Sequence, residues 1–372
     1  MPKTAVLDDI RKMKEIDKSD MLSFCVDAPK HYAKASELAN TLSIDSIKPT
    51  TIITAGMGGS AIGGELLKDW ARDLTTVPIE VCREYTLPAY ADENTLVIAV
   101  SYSGETEETL SVFLDAIRRK CPTVCISSGG TLQHFAKRLN VPHLQVPAGM
   151  APRATLPYLF VPILALLHKI GLVATVDPEI TETIEILRKV SEANQPTKPS
   201  ESNFAKALAS NVCETIPVTY GFGFFRAVAQ RFKTQFNENS KIPAKWEFFP
   251  ELDHNEIVGW EHVNDIAEHF SVILIRDEDE PESIRQRIEA TKEIIGKQSV
   301  KTFEVHSLGK STLAKMTSVI CIGDFASVYL AILRGIDPTP VNTISVLKER
   351  LKRSGVRDRI VRELEKLAKQ SF

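Results

Sequence analysis

The stretch "TTIITAGMGGSAIGGELLKDW", residues 50–70, reads as strand, glycine turn, helix. A β-branched run leads into Gly56, Gly58 and Gly59, and apolar residues then recur at helical spacing. Glycines in such a turn let the backbone come close to an anion. The helix that follows aims its first N–H groups and its positive end at the same place. Gly56, Gly58 and Ala61 also satisfy the dinucleotide pattern G-x-G-x-x-A, with Glu80 about twenty residues further on in a strand. A Walker loop does not fit. Gly63-Gly64 is followed by Glu65, and Gly309-Lys310-Ser311 has Glu304 where the first glycine belongs. Ser60 either adds a hydroxyl to an anion site or caps the helix.

Working outward, strand and helix alternate. "PIEVCREY" (78–85) and "TLVIAV" (95–100) read as strands, and "TEETLSVFLDAIRRK" (106–120) as a helix with Leu110, Phe113, Leu114 and Ile117 on one face. "PTVCISSGG" (122–130) is a strand into a turn, "LQHFAKRL" (132–139) a short helix and "HLQVP" (143–147) a strand. This order argues a doubly wound α/β layer on a mainly parallel sheet. Residues 1–45 read as helices, and helices are also expected over 154–172 and 179–190. The Pro-, Ser- and Asn-rich stretch 191–203 reads as a linker.

Beyond it the pattern returns. "TIPVTYGFGFFRAVAQRFKTQF" (215–236) mirrors the opening stretch, "FSVILIRDEDE" (270–280) parallels "TLVIAVSYSGE", and "VKTFEVHS" (300–307) parallels "CPTVCISS". "SVICIGDFASVYLAIL" (318–333) parallels "HLQVPAG" followed by "YLFVPILALL". Two similar doubly wound α/β halves are therefore expected: a helical segment 1–45, a first half 46–190, a linker 191–203, and a second half 204–372 ending in a helix.

The net charge of −3 argues against nucleic acid as the main partner. The greasy stretch 158–167 is too short to span a bilayer and reads as a core helix. The N-terminus is charged throughout and shows no leader. Six scattered cysteines suggest neither a disulfide framework nor a zinc cluster, so a reduced, cytoplasmic chain without metal is expected.

A second turn narrows the ligand. "SYSGETEET" (101–109) follows a later strand of the first half, at the sheet edge where open α/β folds collect ligands. Ser101, Ser103 and Thr106 each bring a donor suited to a phosphate oxygen. A dinucleotide does not need this second cluster; a phosphate monoester does. Glu105 and Glu108 are expected on the solvent side of the following helix, and Glu107 has no evident partner.

Other residues carry chemistry with two readings each. Glu238 ends an amphipathic helix with Phe224, Phe225, Val228, Phe232 and Phe236 spaced for burial; it is a general base or a solvated carboxylate. Lys348 lies on the apolar stripe Ile344, Leu347, Leu351, where a lysine either meets an anion or snorkels. Arg153, beside Pro152 and just before an apolar helix, stabilises a developing anion or forms a structural ion pair. His254 follows Asp253, which suggests an imidazole held by a carboxylate.

"GMGGSAIGG" and "SYSGETEET" together resemble the sugar isomerase (SIS) domain. "APRATLP" (151–157), "NEN" (237–239), "ELDHNEIVGW" (251–260) and "DPTPVNTISVLKERL" (337–351) narrow the likeness to the bifunctional phosphoglucose/phosphomannose isomerases, from about residue 18 to near the end. The resemblance implies two SIS subdomains, a homodimer with its active site at the subunit interface, and no metal or other cofactor. It implies aldose–ketose isomerisation of hexose 6-phosphates through a cis-enediol, in glycolysis and gluconeogenesis. Carried over, Gly59, Ser60, Ser101, Ser103 and Thr106 hold the sugar phosphate. Arg153 faces the enediolate, Glu238 moves the proton between C1 and C2, and His254 (from the neighbouring subunit) and Lys348 open the ring. Val341 departs from the pattern, standing where bifunctional members carry threonine. The alternatives are a non-catalytic SIS sensor and a dinucleotide-dependent oxidoreductase.

Overall fold

The computed structural model describes residues 3–44, 47–262 and 264–370. Two all-parallel sheets form, as the alternating pattern predicts. The first has the order β2-β1-β3-β4-β5, with β1 Thr51–Ala55, β2 Ile79–Cys82, β3 Thr95–Val100, β4 Thr123–Ser127 and β5 His143–Gln145. The second has the order β7-β6-β8-β9, with β6 Ile216–Phe222, β7 Lys245–Phe249, β8 Phe270–Arg276 and β9 Lys301–His306. Strand for strand, β6, β7, β8 and β9 repeat the order of β1, β2, β3 and β4.

The duplication reaches the backbone. Gly58 and Gly223, each two residues after the glycine that ends the matching strand motif, have φ of 52° and 50°. A residue with a Cβ is strained in that region.

The chain makes two compact units. One holds His31–Asp177 and Val341–Phe372 and carries the first sheet; the other holds Met1–Lys30 and Pro178–Pro340 and carries the second. In the first-sheet unit, β3 (Ala99) and β4 (Cys125) bury Leu110, Phe113 and Leu114 of the helix Glu107–Arg118 with Leu132 and Phe135 of the next helix, Gly130–Arg138. The same core takes Ile360, Leu364 and Ala368 from the last helix, Val356–Gln370. The C-terminal helix thus belongs with the first sheet, whereas the sequence pattern groups it with the second half.

In the second-sheet unit the stretch 191–203 is not a free-standing linker. Its first residues are the last turn of the helix Asp177–Asn194. Asn194 is buried, accepts from Ala205 N at 2.9 Å, and its carbonyl accepts from the Tyr329 hydroxyl at 2.6 Å. The fully buried Lys206 donates to the carbonyls of Pro196 (2.9 Å) and Lys198 (2.6 Å). Ser191, Asn194 and Asn203 are buried polar groups, while Glu192, Thr197, Glu201 and Ser202 face solvent.

A second departure lies at 318–323. Instead of a strand followed by a helix, Thr312–Leu333 is one continuous helix started by Ser311, whose hydroxyl accepts from Ala314 N. The helix is long and apolar enough to cross a membrane, yet 94% of its most apolar window is buried within the chain, which makes it a core element.

Candidate active site

In the first sheet the connections run opposite ways from β1 and β3, so the crevice between their C-terminal ends is the switch point where ligands collect in such folds. Both predicted anion turns open there. Gly58 takes the N-cap position of the helix Gly59–Ala71, so Ser60 sits in its first turn and is not the cap. Its Oγ instead accepts from the backbone N–H of Tyr102 at 3.2 Å, joining the two turns.

Within the second turn, Ser101 is fully buried. Its Oγ donates to Thr106 Oγ1 at 2.8 Å and accepts from Thr106 N at 3.4 Å. Ser103 is exposed and accepts from Glu105 N at 3.2 Å. Ser60 and Ser103 are both used as acceptors, so each can still give its O–H hydrogen to an anion. Thr106, in extended conformation, takes the N-cap position of the helix Glu107–Arg118 without a side-chain cap bond.

Arg153 is brought to the same edge. It lies in the short 3-10 turn Pro152–Ala154, only 3% exposed. The turn presses on Gly59: a Cβ there would stand 3.1 Å from Pro152 O and 3.3 Å from the Arg153 N and Cα. Glycine at 59 is required by that close approach. Gly59, Ser60, Ser101, Ser103, Thr106 and Arg153 therefore gather around one crevice.

Of the acids of the second turn, Glu105 faces solvent as expected, whereas Glu107 and Glu108 are half-buried. Glu105 is exposed but committed: it accepts from Thr131 N (2.8 Å) and the Thr131 hydroxyl, and it pairs with Arg357 of the last helix. It caps the neighbouring helix and braces the turn from outside. Glu107 accepts from the Tyr85 hydroxyl at 2.8 Å; burial and that bond push the Tyr85 phenol up to about 12.

The remaining predicted residues lie elsewhere. Glu238 and His254 belong to the second-sheet unit. Glu238 is half-buried at the end of the helix Arg226–Glu238. The Lys241 ammonium donates to the Glu238 carbonyl and to Pro338 O at 2.8 Å, so a cation closes the negative end of that helix. His254 is exposed after β7. Asp253 does not hold its ring; that carboxylate takes Arg287 Nη1 at 2.8 Å and the Thr291 hydroxyl at 3.1 Å, because a guanidinium is the stronger partner.

Lys348 is on the predicted helix, Asn342–Lys352, but no residue of that helix is buried. Ile344, Val346, Leu347 and Leu351 are all exposed, so the apolar stripe is real and uncovered among the described residues. Val341 is its N-cap residue and makes no side-chain cap bond. Sequence reasoning passed over Tyr102. The available signal was an aromatic residue in a turn otherwise made of small and polar ones.

Residues 47–152 match the SIS domain family, and residues 201–351 match the bacterial phospho-glucose isomerase C-terminal SIS domain. A bifunctional phosphoglucose/phosphomannose isomerase of Caldicellulosiruptor bescii is 41% identical over 327 residues, covering 87% of this chain and 96% of that protein. A protein of the same description from Aquifex aeolicus is 36% identical, covering 81% and 90%. Among solved structures, a hypothetical protein of Thermus thermophilus superposes with a TM-score of 0.72 at 15% identity, covering 92% of this chain and 94% of that one, which is a likeness of fold.

Proposed function

Because the chain belongs to the bifunctional phosphoglucose/phosphomannose isomerase family, it is an isomerase, and we propose that it interconverts glucose 6-phosphate and mannose 6-phosphate with fructose 6-phosphate through a cis-enediol. The reading rests above all on the convergence of two hydroxyl-bearing turns and a buried arginine at one sheet edge. That set suits one small phosphate ester and leaves no role for a dinucleotide.

The phosphate is held by the hydroxyls of Ser60, Ser103 and Thr106 and by the backbone at Gly59, where the helix start favours negative charge; the buried Ser101, whose hydrogen goes to Thr106 Oγ1, orients that hydroxyl. With the phosphate fixed, C1 and C2 of the open-chain sugar have a defined place. Glu238 takes the proton from one of these carbons and returns it to the other. Arg153, a fixed cation, stabilises the enediolate formed between. His254 and Lys348 open the ring. The enediol has no stereochemistry at C2, so reprotonation on either face gives either epimer, which accounts for two aldose substrates. No step calls for a metal.

The enzyme is a homodimer in this reading, with the active site at the subunit interface and the cytoplasm as its location. The uncovered stripe Ile344, Leu347, Leu351 is the surface a second copy would bury. The exposed His254 suits service in a neighbouring subunit's site.

The test is turnover of the three hexose 6-phosphates, with C2-proton exchange into solvent followed by NMR. Wild type should turn over all three, and EDTA should change nothing. Glu238→Gln should lower turnover and exchange by about 10²–10⁴. Binding of all three without turnover would favour a sugar-phosphate sensor, and near-full exchange in Glu238→Gln would remove the base from that residue.

A further inference from the structure

We propose that Tyr102 is a positioning residue, which sets Arg153 against the phosphate turns through a hydrogen bond to the Met150 backbone; the proposal rests on the isomerase reading for Arg153's role. Tyr102 is 7% exposed and sits in the middle of the hydroxyl turn. Each of its polar groups ties a different loop of the sheet edge. Its N–H donates to Ser60 Oγ at 3.2 Å, reaching the turn after β1. Its carbonyl accepts from Ser128 N at 2.8 Å and Ser128 Oγ at 2.7 Å, reaching the turn after β4. Its phenol oxygen accepts from Met150 N at 2.9 Å, reaching the segment that follows β5.

That last bond lies three residues before Arg153. Between them the chain turns once, with Ala154 N bonded to Ala151 O at 2.8 Å and the Thr155 hydroxyl to Pro152 O at 2.7 Å. On its other side the turn rests on Gly59. Arg153 is thus held between two contacts, the bare Cα of Gly59 and the Tyr102 hydroxyl at Met150. Both contacts originate in the loops that carry the phosphate hydroxyls. A charge that must meet a developing enediolate gains from such fixing, because a misplacement of about 1 Å can cost roughly 10² in rate. A phenylalanine would fill the same core space, so the hydroxyl is what this role requires.

Tyr102→Phe isolates it. The expected result is kcat lowered about tenfold with KM for fructose 6-phosphate changed less than twofold. On an Arg153→Ala background, assayed at higher enzyme concentration, the same substitution should cost nothing further, since the residue acts through Arg153. Additive losses, or a Tyr102→Phe enzyme equal to wild type, would overturn the proposal. The link itself is read without activity by amide hydrogen exchange. The peptide covering 148–155 should exchange faster in Tyr102→Phe than in wild type, and unchanged exchange would refute it. If wild type turns over none of the hexose phosphates, the isomerase reading fails while the exchange result still decides the link.

Discussion

The turn after β3 and the turn after β8 occupy equivalent places in the two sheets and do opposite things. The first presents hydroxyls at Ser103 and Thr106, backed by the buried Ser101. The second, "RDEDE", presents carboxylates, and those of Asp277, Asp279 and Glu280 are already engaged. Asp277, 3% exposed at its side chain, takes Lys315 Nζ at 2.8 Å and the Ser307 hydroxyl. Arg276 binds Glu280 at 2.6 Å, Glu289 at 2.7 Å and Glu304 at 2.8 Å. Where the first sheet offers donors for an incoming anion, the second carries its own anions and its own cations. A topological position supplies an edge; the residues on it decide whether that edge binds or braces.

The sharpest way to break this comparison is to change one residue in each turn. Asp277→Ala leaves the Lys315 ammonium, whose side chain is 9% exposed, with only the exposed Asp279 as partner. Breaking a buried pair on one side costs about 3 kcal/mol. Urea unfolding followed through Trp246 and Trp260, which lie in that unit, should show a loss of this size, while KM for fructose 6-phosphate stays within twofold. Ser103→Ala should do the reverse. A hydroxyl bonded to a charged ligand is worth about 1.5–3 kcal/mol, so KM should rise tenfold or more. Stability should move by less than about 0.5 kcal/mol, since the side chain is exposed. A rise in KM for Asp277→Ala, or a stability loss for Ser103→Ala, would show that the turns are not specialised in this way.

Much of this division was legible in the sequence. The strand–glycine–helix pattern, its repetition and the hydroxyls of 101–106 are local features, and local features follow from periodicity and turn chemistry. What was hidden depended on partners far away along the chain. The bond from Met150 to Tyr102 crosses 48 residues, and that of Arg357 to Glu105 crosses 252. The stretch 191–203 looked solvated because its composition is polar, yet Asn194 and Lys206 satisfy each other's surroundings inside the unit. The run 318–323 is apolar on every side, a pattern that a buried strand and a buried helix share. The stripe of Lys348 was correctly drawn, but its residues stay exposed among the described residues.

The two units should also answer acid differently, with the smallest of the expected effects coming first as pH falls. In the first-sheet unit, besides the ion pair of Glu105 and Arg357, a neutral brace stands at the turn after β4: His143 Nε2 meets Ser127 Oγ at 2.8 Å, and Ser127 Oγ donates to Gly129 O at 2.8 Å. Burial, with the nearby Lys137 adding to it, lowers the His143 imidazole from 6.5 to about 4. The unfolded chain therefore binds more protons than the folded one between those values. Stability contributed by the neutral ring is complete above pH 6.5 and drains away as pH falls toward 4. In the second-sheet unit the brace is ionic. Burial alone would raise the Asp277 carboxyl, but Lys315 and Ser307 together hold it below its ordinary value of 3.8. Its contribution is complete above that value and is lost only as pH falls through the lower, folded one. Between pH 7.5 and 5.5, Trp70 should report a loss of about 1 kcal/mol in the first-sheet unit. Trp246 and Trp260 should report no loss traceable to Asp277 until below about pH 4. His143→Gln should flatten the first slope and leave the second untouched. An unchanged slope at Trp70 in that variant would mean that the neutral brace does not carry the acid sensitivity of the first-sheet unit.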